Sequence, residues 1–243
     1  MKIELPTYSL SLTFLIFSLI MVSRYFVVSG LMAWTMRKLN LRLFDQASLN
    51  REQIRRDMRW SVLSSLVFAA SMVLMVRLWQ NGTSAIYFNF SDYPLWYIPV
   101  SLFLYLFIQD TYFYWTHRLM HKYGFKHIHL AHHETRSPSA WTSFAFHPWE
   151  ALIQAAILPV LIVFVPIHFG VLGVFLLIMS AFGVTNHLGA EIYPAFLEKR
   201  LSIITANHHQ IHHKKLNKNF GLFFSFWDKW MGTEYNHSNS NIP

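Results

Sequence analysis

Long apolar runs constrain the fold of this chain more than any other feature. Residues 10–34, 60–79 and 95–116 each form such a run, and residues 151–165 and 170–184 form two shorter runs divided by Pro166. A helix needs about 20 apolar residues to cross a bilayer core. Only 13% of the residues are charged, whereas soluble domains contain about 25%. We therefore predict an all-α integral membrane protein.

The two shorter runs predict a tilted or shallow helical hairpin in place of two perpendicular spans, with Pro159 as a further break. Together with the three longer runs, this gives about four membrane-embedded helices. We treat residues 1–243 as one membrane-embedded domain. Its N-terminal spans occupy residues 1–94, and a histidine-rich catalytic region occupies residues 95–243.

Basic residues predict the orientation of the spans. The connection between the first two runs contains Arg37, Lys38, Arg42, Arg51, Arg55, Arg56 and Arg59, whereas residues 80–94 contain no lysine or arginine. The positive-inside rule places the first connection in the cytoplasm. The third run and the hairpin then both end on that side, as a cytosolic cap at a bacterial inner membrane or the endoplasmic reticulum. Because the +8 charge flanks apolar runs, anionic lipid is the expected partner and nucleic acid is not.

Most of the 14 histidines fall into three clusters on the predicted cytoplasmic side. The clusters are His117-x-x-x-His121, His129-x-x-His132-His133 and His209-x-x-His212-His213. Side chains three or four positions apart share a helix face, and imidazole is the commonest metal ligand. One pair alone is more typical of a solvated helix face. Three clusters exceed the four ligands that one zinc takes, and they predict a site for two metals.

The composition of the chain limits the ligands of such a site. Cysteine is absent, which excludes iron–sulfur clusters and thiolate-bound metals. Asp110 falls on the predicted face of His117, at a depth in the membrane where an acid is usually functional. It either orients a ligand imidazole as a hydrogen-bond acceptor, or it is a buried carboxyl group paired with a tyrosine or Arg118.

The order of these motifs resembles the fatty acid hydroxylase/sterol desaturase superfamily of integral membrane di-iron oxidases. Residues 146–150 (FHPWE), residues 186–189 (NHLG), and HHQIHH followed by NFG and FWDKWMGT resemble further segments of that family. The resemblance covers approximately residues 110–234. It implies two iron ions, dioxygen as co-substrate, and metal ligands at His117, His121, His129, His132, His133, His187, His209, His212 and His213.

The resemblance also implies roles for residues beside the ligands. Some members have a histidine where this chain has Glu191, so Glu191 is expected to be an oxygen ligand, a partner of a ligand or a surface carboxylate. His147, Glu150 and Asn186 are expected to order the ligands without binding metal. His208 falls outside the repeated spacing, and His127 is expected at the surface.

The implied activity is that of a membrane oxidoreductase that hydroxylates or desaturates a lipid. Sterol, fatty acyl, alkyl and carotenoid substrates all remain open. The chain contains no Gly-rich nucleotide fingerprint, so a separate reductase and a small electron carrier are expected. Lys214, Lys215 and Lys218 could dock an acidic carrier or contact lipid headgroups.

Two other functions are compatible with the same clusters. A zinc-dependent membrane hydrolase would use metal-bound hydroxide with Glu150 as general base. A metal-binding or transport protein would hold its ions near the midplane of the bilayer. The predicted position of the clusters at the ends of the spans disfavours transport.

Overall fold

The computed structural model describes residues 9–41, 50–122 and 126–235. In these ranges the chain forms helices α1 (Leu10–Lys38), α2 (Arg51–Gln80), α3 (Tyr97–Met120), α4 (Lys126–His133), α5 (Pro148–Phe164), α6 (Phe169–Thr185), α7 (Ala195–Leu201), α8 (Ala206–Lys215) and α9 (Phe226–Trp230). Strand β1 (Ile86–Tyr87) pairs in parallel with strand β2 (Ile167–His168). The predicted helical fold is confirmed, with this short strand pair as an addition. Arg42 lies outside the described residues.

Among the described residues, two helices are long and apolar enough to cross a membrane. They are α1, with 29 residues, and α2, with 30 residues. The hairpin helices α5 and α6 have 17 residues each. Seventeen helical residues rise about 25 Å, which is less than the roughly 30 Å of a bilayer core. Their length therefore agrees with the prediction of a hairpin that does not cross perpendicularly.

Helix α2 begins well before the apolar run that predicted it. Its N-cap is Asn50, whose side chain accepts a hydrogen bond from the amide of Glu52. The arginines that follow favour helix, so Arg51, Arg55 and Arg56 lie on helical turns that extend beyond the apolar run. This end of α2 reaches the histidine-rich region, where the Arg56 guanidinium lies 3.0 Å from the Thr135 hydroxyl.

The predicted helix break at Pro159 is wrong, because α5 runs through this residue to Phe164. A proline has no amide hydrogen, so it leaves the carbonyl four residues earlier without its helical partner. That carbonyl belongs to Ala155, and it accepts a hydrogen bond of 3.1 Å from the Ser71 hydroxyl of α2. A side chain of the neighbouring helix thus replaces the missing donor.

Two apolar clusters hold the helices together. One joins α2, α3, α5 and α6 and includes Tyr105, Ile162 and Phe175. The Tyr105 hydroxyl also donates to the carbonyl of Val165, in the turn between α5 and α6. The other cluster packs Tyr25 of α1 against Phe144 and neighbouring residues. The packing leaves α4, α8 and the C-terminal end of α3 together at one end of the helices.

Candidate metal centre

Nine histidines converge at this end of the molecule in two groups. The first group contains His117, His121, His129, His133 and His212, and the second contains His132, His187, His209 and His213. Within each group the potential ligand nitrogens lie within 4.8 Å of one another. These are the nine residues that the sequence indicated as ligands, and they come from α3 and its C-cap, from α4 and α8, and from the segment after α6.

Helices α4 and α8 each contribute to both groups. On α4, His129 and His133 face the first group, while His132 faces the second. On α8 the order is reversed, because His209 and His213 face the second group and His212 faces the first. In each H-x-x-H-H motif the i and i+4 imidazoles therefore share one group, and the i+3 imidazole reaches the other.

The spacing of the nitrogens is that of ligands around a common ion. Within the first group, the Nε2 atoms of His117 and His129 lie 2.9 Å apart, and those of His121 and His212 lie 3.2 Å apart. Within the second, the Nε2 atoms of His209 and His187 lie 3.0 Å apart. Two nitrogens bound at right angles, each about 2.1 Å from a metal, would lie about 3.0 Å apart. The two groups therefore have suitable dimensions for a metal ion each.

Hydrogen bonds on the far side of the rings fix where the protons lie. The Nδ1 atom of His117 lies 2.9 Å from the Phe220 carbonyl, and that of His129 lies 2.6 Å from a Glu150 carboxyl oxygen. A backbone carbonyl only accepts, so the Nδ1 of His117 carries the hydrogen and the Nε2 of the neutral ring presents a lone pair. The Nδ1 of His212 likewise lies 2.6 Å from the Lys218 carbonyl, so His117 and His212 present two acceptors to the first group. A cation between them removes the repulsion of their lone pairs.

Other rings are oriented in the same way. The Nδ1 atoms of His187, His212 and His213 donate to the backbone carbonyls of Gly183, Lys218 and Thr135, respectively. The Nε2 of His213 is buried and has no hydrogen-bond partner among the described residues. An orphaned acceptor within a group of imidazoles fits a metal ligand.

Burial keeps these rings neutral. It lowers the pKa of His187 to about 4. Burial, followed by repulsion from neighbouring imidazoles, holds the pKa of His132, His209 and His213 well below the usual range. A metal ligand must be deprotonated, so these rings are prepared to bind metal at neutral pH.

A loop formed by residues 218–224, here called the carbonyl loop, supplies acceptors to the first group. Its Lys218 and Phe220 carbonyls receive hydrogen bonds from His212 and His117. The buried Asp228 carboxyl accepts from the amides of Phe220 and Gly221 and from the Thr233 hydroxyl. The loop is therefore held from outside the histidine groups.

Asp110 anchors the other half of the carbonyl loop, which corrects both interpretations drawn from the sequence. Its Oδ1 lies 3.2, 2.7 and 3.3 Å from the amides of Leu222, Phe223 and Phe224. It accepts from neither a ligand imidazole nor Arg118 among the described contacts. The carboxyl group was correctly placed on the face of His117, but its partners are more than a hundred residues away in sequence.

Glu191 binds backbone amides, including one at the start of α8. One carboxyl oxygen accepts from the amides of Ile192 and Tyr193, and the other accepts from the Asn207 amide at the start of α8. A negative charge is favourable there because amide hydrogens are unpaired at a helix N-terminus. Glu191 lies in neither histidine group. It instead positions α8, which carries three of the nine converging histidines.

The remaining candidates lie around the groups. His147 is the N-cap of α5, the helix that begins beside Glu150. The Asn186 side-chain amide donates to the Leu222 carbonyl of the carbonyl loop. His208 faces Asp228 at 3.5 Å and belongs to neither group. His127 is exposed, as expected.

Comparisons with known proteins match the segment that contains these residues. The fatty acid hydroxylase family profile matches residues 102–233, which is more than half of the chain. The chain belongs to the fatty acid hydroxylase family. The matched segment contains all nine converging histidines, Asp110 and Asp228. The resemblance to this superfamily is confirmed.

The relatives of this family member include sterol-modifying enzymes. Lathosterol oxidase of Rattus norvegicus is 30% identical over 194 residues, which cover 78% of this chain and 64% of the relative. C-4 methylsterol oxidase of Schizosaccharomyces pombe is 32% identical over 146 residues, covering 55% and 47%. A Delta(7)-sterol 5(6)-desaturase of Gibberella zeae is 27% identical over 154 residues, covering 63% and 47%. This chain thus spans less than two thirds of the length of these relatives. No solved structure matches it.

Two buried acids of this family member escaped the sequence analysis. Asp228 lies within the FWDKW motif, so the motif itself was a signal for it. Asp57 accepts from the hydroxyls of Thr135 and Thr142, and the Thr135 carbonyl accepts from His213. Asp57 appeared to be one more charged residue in an arginine-rich connection, because its partners lie about 80 residues away.

Proposed function

We propose that this protein is a membrane-bound di-iron oxidoreductase that uses dioxygen and external electrons to hydroxylate or desaturate a lipid. The nine converging histidines are the proposed iron ligands. The observation that carries the proposal is that His117 and His212 belong to one histidine group while the Nδ1 hydrogens of both rings are bound to backbone carbonyls on their far sides. This arrangement is unfavourable without a cation.

The number of nitrogens favours iron over zinc. The first group offers five imidazoles, whereas structural zinc is almost always four-coordinate. Iron also supplies the redox chemistry that the names of the relatives imply, because the oxidases and the desaturase are enzymes of sterol oxidation. Glu150 contacts His129 through one oxygen at 2.6 Å, so it orients a ligand and is poorly placed to be the general base of a hydrolase.

Both proposed reactions consume one dioxygen, two electrons and two protons. Hydroxylation converts a C–H bond into C–OH and releases one water, whereas desaturation removes two hydrogens from adjacent carbons and releases two waters. Bound iron would supply the activation of dioxygen. The chain contributes the orientation of the imidazoles, through backbone carbonyls and Glu150, and the exclusion of water from the buried groups.

The structure supports a site at the inner membrane surface. The arginine-rich start of α2 lies beside the histidine region, where Arg56 contacts Thr135 and Glu134. By the positive-inside rule this end of the helices is cytoplasmic. A lipid can then reach the site laterally from the bilayer, and electrons arrive from the cytosol through a separate reductase and carrier.

Metal analysis of the purified protein tests the proposal. We expect about two irons per chain, a Mössbauer spectrum of a coupled pair, and oxygen consumption that depends on both reductant and lipid. Active protein that contains only zinc, or that works without oxygen, would indicate a hydrolase. Ion uptake into vesicles without oxygen consumption would indicate a transporter. Either result would overturn the assignment.

A further inference from the structure

One face of α2 contacts the segment that follows α4. Gln53, Asp57 and Ser61 lie one turn apart on α2, and side chains at that spacing share a helix face. All three contact residues between 135 and 142, shortly after α4. The family profile matches residues 102–233, so α2 lies outside it. The N-terminal part of the chain therefore holds a segment of the matched region.

Asp57 is the acid of this helix face, and it is completely buried. The Thr135 hydroxyl lies 2.8 and 3.1 Å from its two carboxyl oxygens, and the Thr142 hydroxyl lies 2.9 Å from one of them. The Thr135 hydroxyl also accepts a hydrogen bond of 3.0 Å from the Arg56 guanidinium. Two adjacent residues of α2 therefore hold Thr135 from two sides.

Stability alone does not explain an acid at this position. A buried polar group is unfavourable unless it is hydrogen-bonded, and a buried charge is more so. Well-packed apolar residues of similar volume often make a protein as stable as a buried ion pair does. The Arg56 guanidinium lies 3.8 Å from the Asp57 carboxyl group. What the acid adds is a fixed direction for each hydroxyl that donates to it.

Thr135 connects this acid to the second histidine group. Its carbonyl accepts from the Nδ1 of His213 at 2.9 Å. The Nε2 of His213 is left for the second group, and it is buried without a partner among the described residues. Two rings of the first group instead donate to the carbonyl loop, which Asp228 holds from outside. Asp57 thus has the same relation to the second group as Asp228 has to the first.

We propose that Asp57 is a positioning residue for the second histidine group, because it holds Thr135, whose carbonyl orients the His213 ring. The inference rests on the proposed metal centre, and it deepens that proposal by assigning a residue of α2 to one of the two metals. Asp57 belongs to neither histidine group. Its effect passes through Thr135 and is therefore confined to the second group.

Metal binding without oxygen or lipid tests this proposal. The apoprotein in lipid nanodiscs is titrated with manganous ion, and a dissociation constant is measured for each group. The reference is His132→Ala, which lacks a ligand of the second group only, so the constant that it loses belongs to that group. We expect Asp57→Leu and Thr135→Val each to weaken the second group by at least about tenfold and the first by less than about threefold.

Further variants test whether Asp57 acts through Thr135. Thr135→Ser keeps the hydroxyl and should keep normal affinity in both groups. The double variant Asp57→Leu/Thr135→Val should lose no more affinity than the weaker-binding single variant, because both changes break the same link. The matched control is Ser61→Ala, which removes a buried hydroxyl one turn further along α2, 3.4 Å from the Trp141 carbonyl. It should leave both constants unchanged.

Three results would overturn the assignment. Equal weakening of both groups in Asp57→Leu and Thr135→Val, up to loss of all metal, would show that the link only maintains the fold. Unchanged affinity of the second group in Asp57→Leu would show that the acid does not position it. Losses that multiply in the double variant would show that Asp57 and Thr135 act independently.

The binding test separates this inference from the proposed function, because it requires no turnover. Selective weakening of the second group in a protein that consumes no oxygen with any lipid would contradict the oxidase proposal and leave the role of Asp57 standing. A lipid-oxidising protein whose second group binds metal normally in Asp57→Leu would do the reverse.

Discussion

Five of the nine imidazoles direct one ring nitrogen into their group and contact a protein oxygen through the other. That oxygen is a backbone carbonyl for His117, His187, His212 and His213, and a Glu150 carboxyl oxygen for His129. Such outer partners fix the tautomer, and their loss typically costs 10–100-fold in metal affinity or activity. Residues that never touch the metal therefore decide whether a ring can bind it.

Replacement of a single histidine tests the division into two groups. His132→Ala removes one of the four imidazoles of the second group and none of the first. We expect the iron content to fall from about two to about one per chain, and lipid oxidation to fall by at least about 100-fold, because a direct ligand is lost and not only an outer partner. Iron is measured by mass spectrometry of the purified protein.

The matched control is His127→Ala, on the same helix but exposed and outside both groups. It should retain both irons and full activity. Retention of two irons and turnover in His132→Ala would show that His132 does not hold metal.

The identity of the nine histidines was accessible from the sequence, but their division between groups was not. The i, i+4 spacing places His129 and His133 on one face of α4. His132 belongs to the other group because of where α8 and His187 pack. Local sequence spacing does not determine that packing. Asp110 illustrates the same limit, because its amide partners follow it by more than a hundred residues.

At the scale of elements, the carbonyl loop contains a position with no room for a side chain. A Cβ at Gly221 would lie 2.5 Å from the Phe224 carbonyl oxygen and 2.6 Å from the Ile204 side chain. The first of these atoms is backbone and cannot move independently. Only glycine fits this position without displacing the loop.

Gly221→Ala should therefore shift the loop that orients His117 and His212. Overpacking of this kind typically costs about 1–3 kcal/mol, and we expect a lower Tm together with a reduced iron content. The control is Gly173→Ala in α6, where a Cβ would meet nothing within 4 Å and should favour the helix by about 1 kcal/mol. Normal iron content in a Gly221→Ala protein would show that the loop does not orient the ligands.

The apolar runs identified the long helices but did not show where those helices begin or end. The run at residues 60–79 identified α2 but missed its first nine residues, since hydropathy does not detect a charged helix that continues beyond the apolar run. Pro159 was taken as a break because a proline removes one hydrogen bond. The compensating hydroxyl of Ser71 lies on another helix and leaves no trace in the local sequence.

For the whole molecule, the burial of nine imidazoles determines how many protons are released when metal binds. A free imidazole, with a pKa of about 6.5, is roughly three-quarters protonated at pH 6, so nine would carry about seven protons. In the folded protein the pKa of His187 is about 4, and that of His132 and His209 is also lowered by burial. We predict that metal uptake by the folded apoprotein at pH 6 releases fewer than about two protons.

Calorimetric titration with manganous ion, in buffers of different ionisation enthalpy, measures that release. Release of five or more protons would contradict the buried, neutral arrangement.

The same pKa shifts set the stability of the apoprotein. Because the folded pKa values are lowered, the unfolded chain takes up more protons below pH 6.5. The Tm of the apoprotein should therefore fall as the pH drops through 6.5 towards 4.

The hydrogen bond from Ser71 to the Ala155 carbonyl links α2 and α5 at one position along their length. Apolar helices in a bilayer have little to prevent them from sliding along one another, because lipid tails and apolar side chains are similarly hydrophobic. The link opposes slippage of α5 along α2, as does the hydrogen bond from the Tyr112 hydroxyl to the Ile153 carbonyl. A slip of one turn, about 5.4 Å, would carry Glu150 out of reach of His129, so a serine opposite a proline helps to align α5 with the histidine groups.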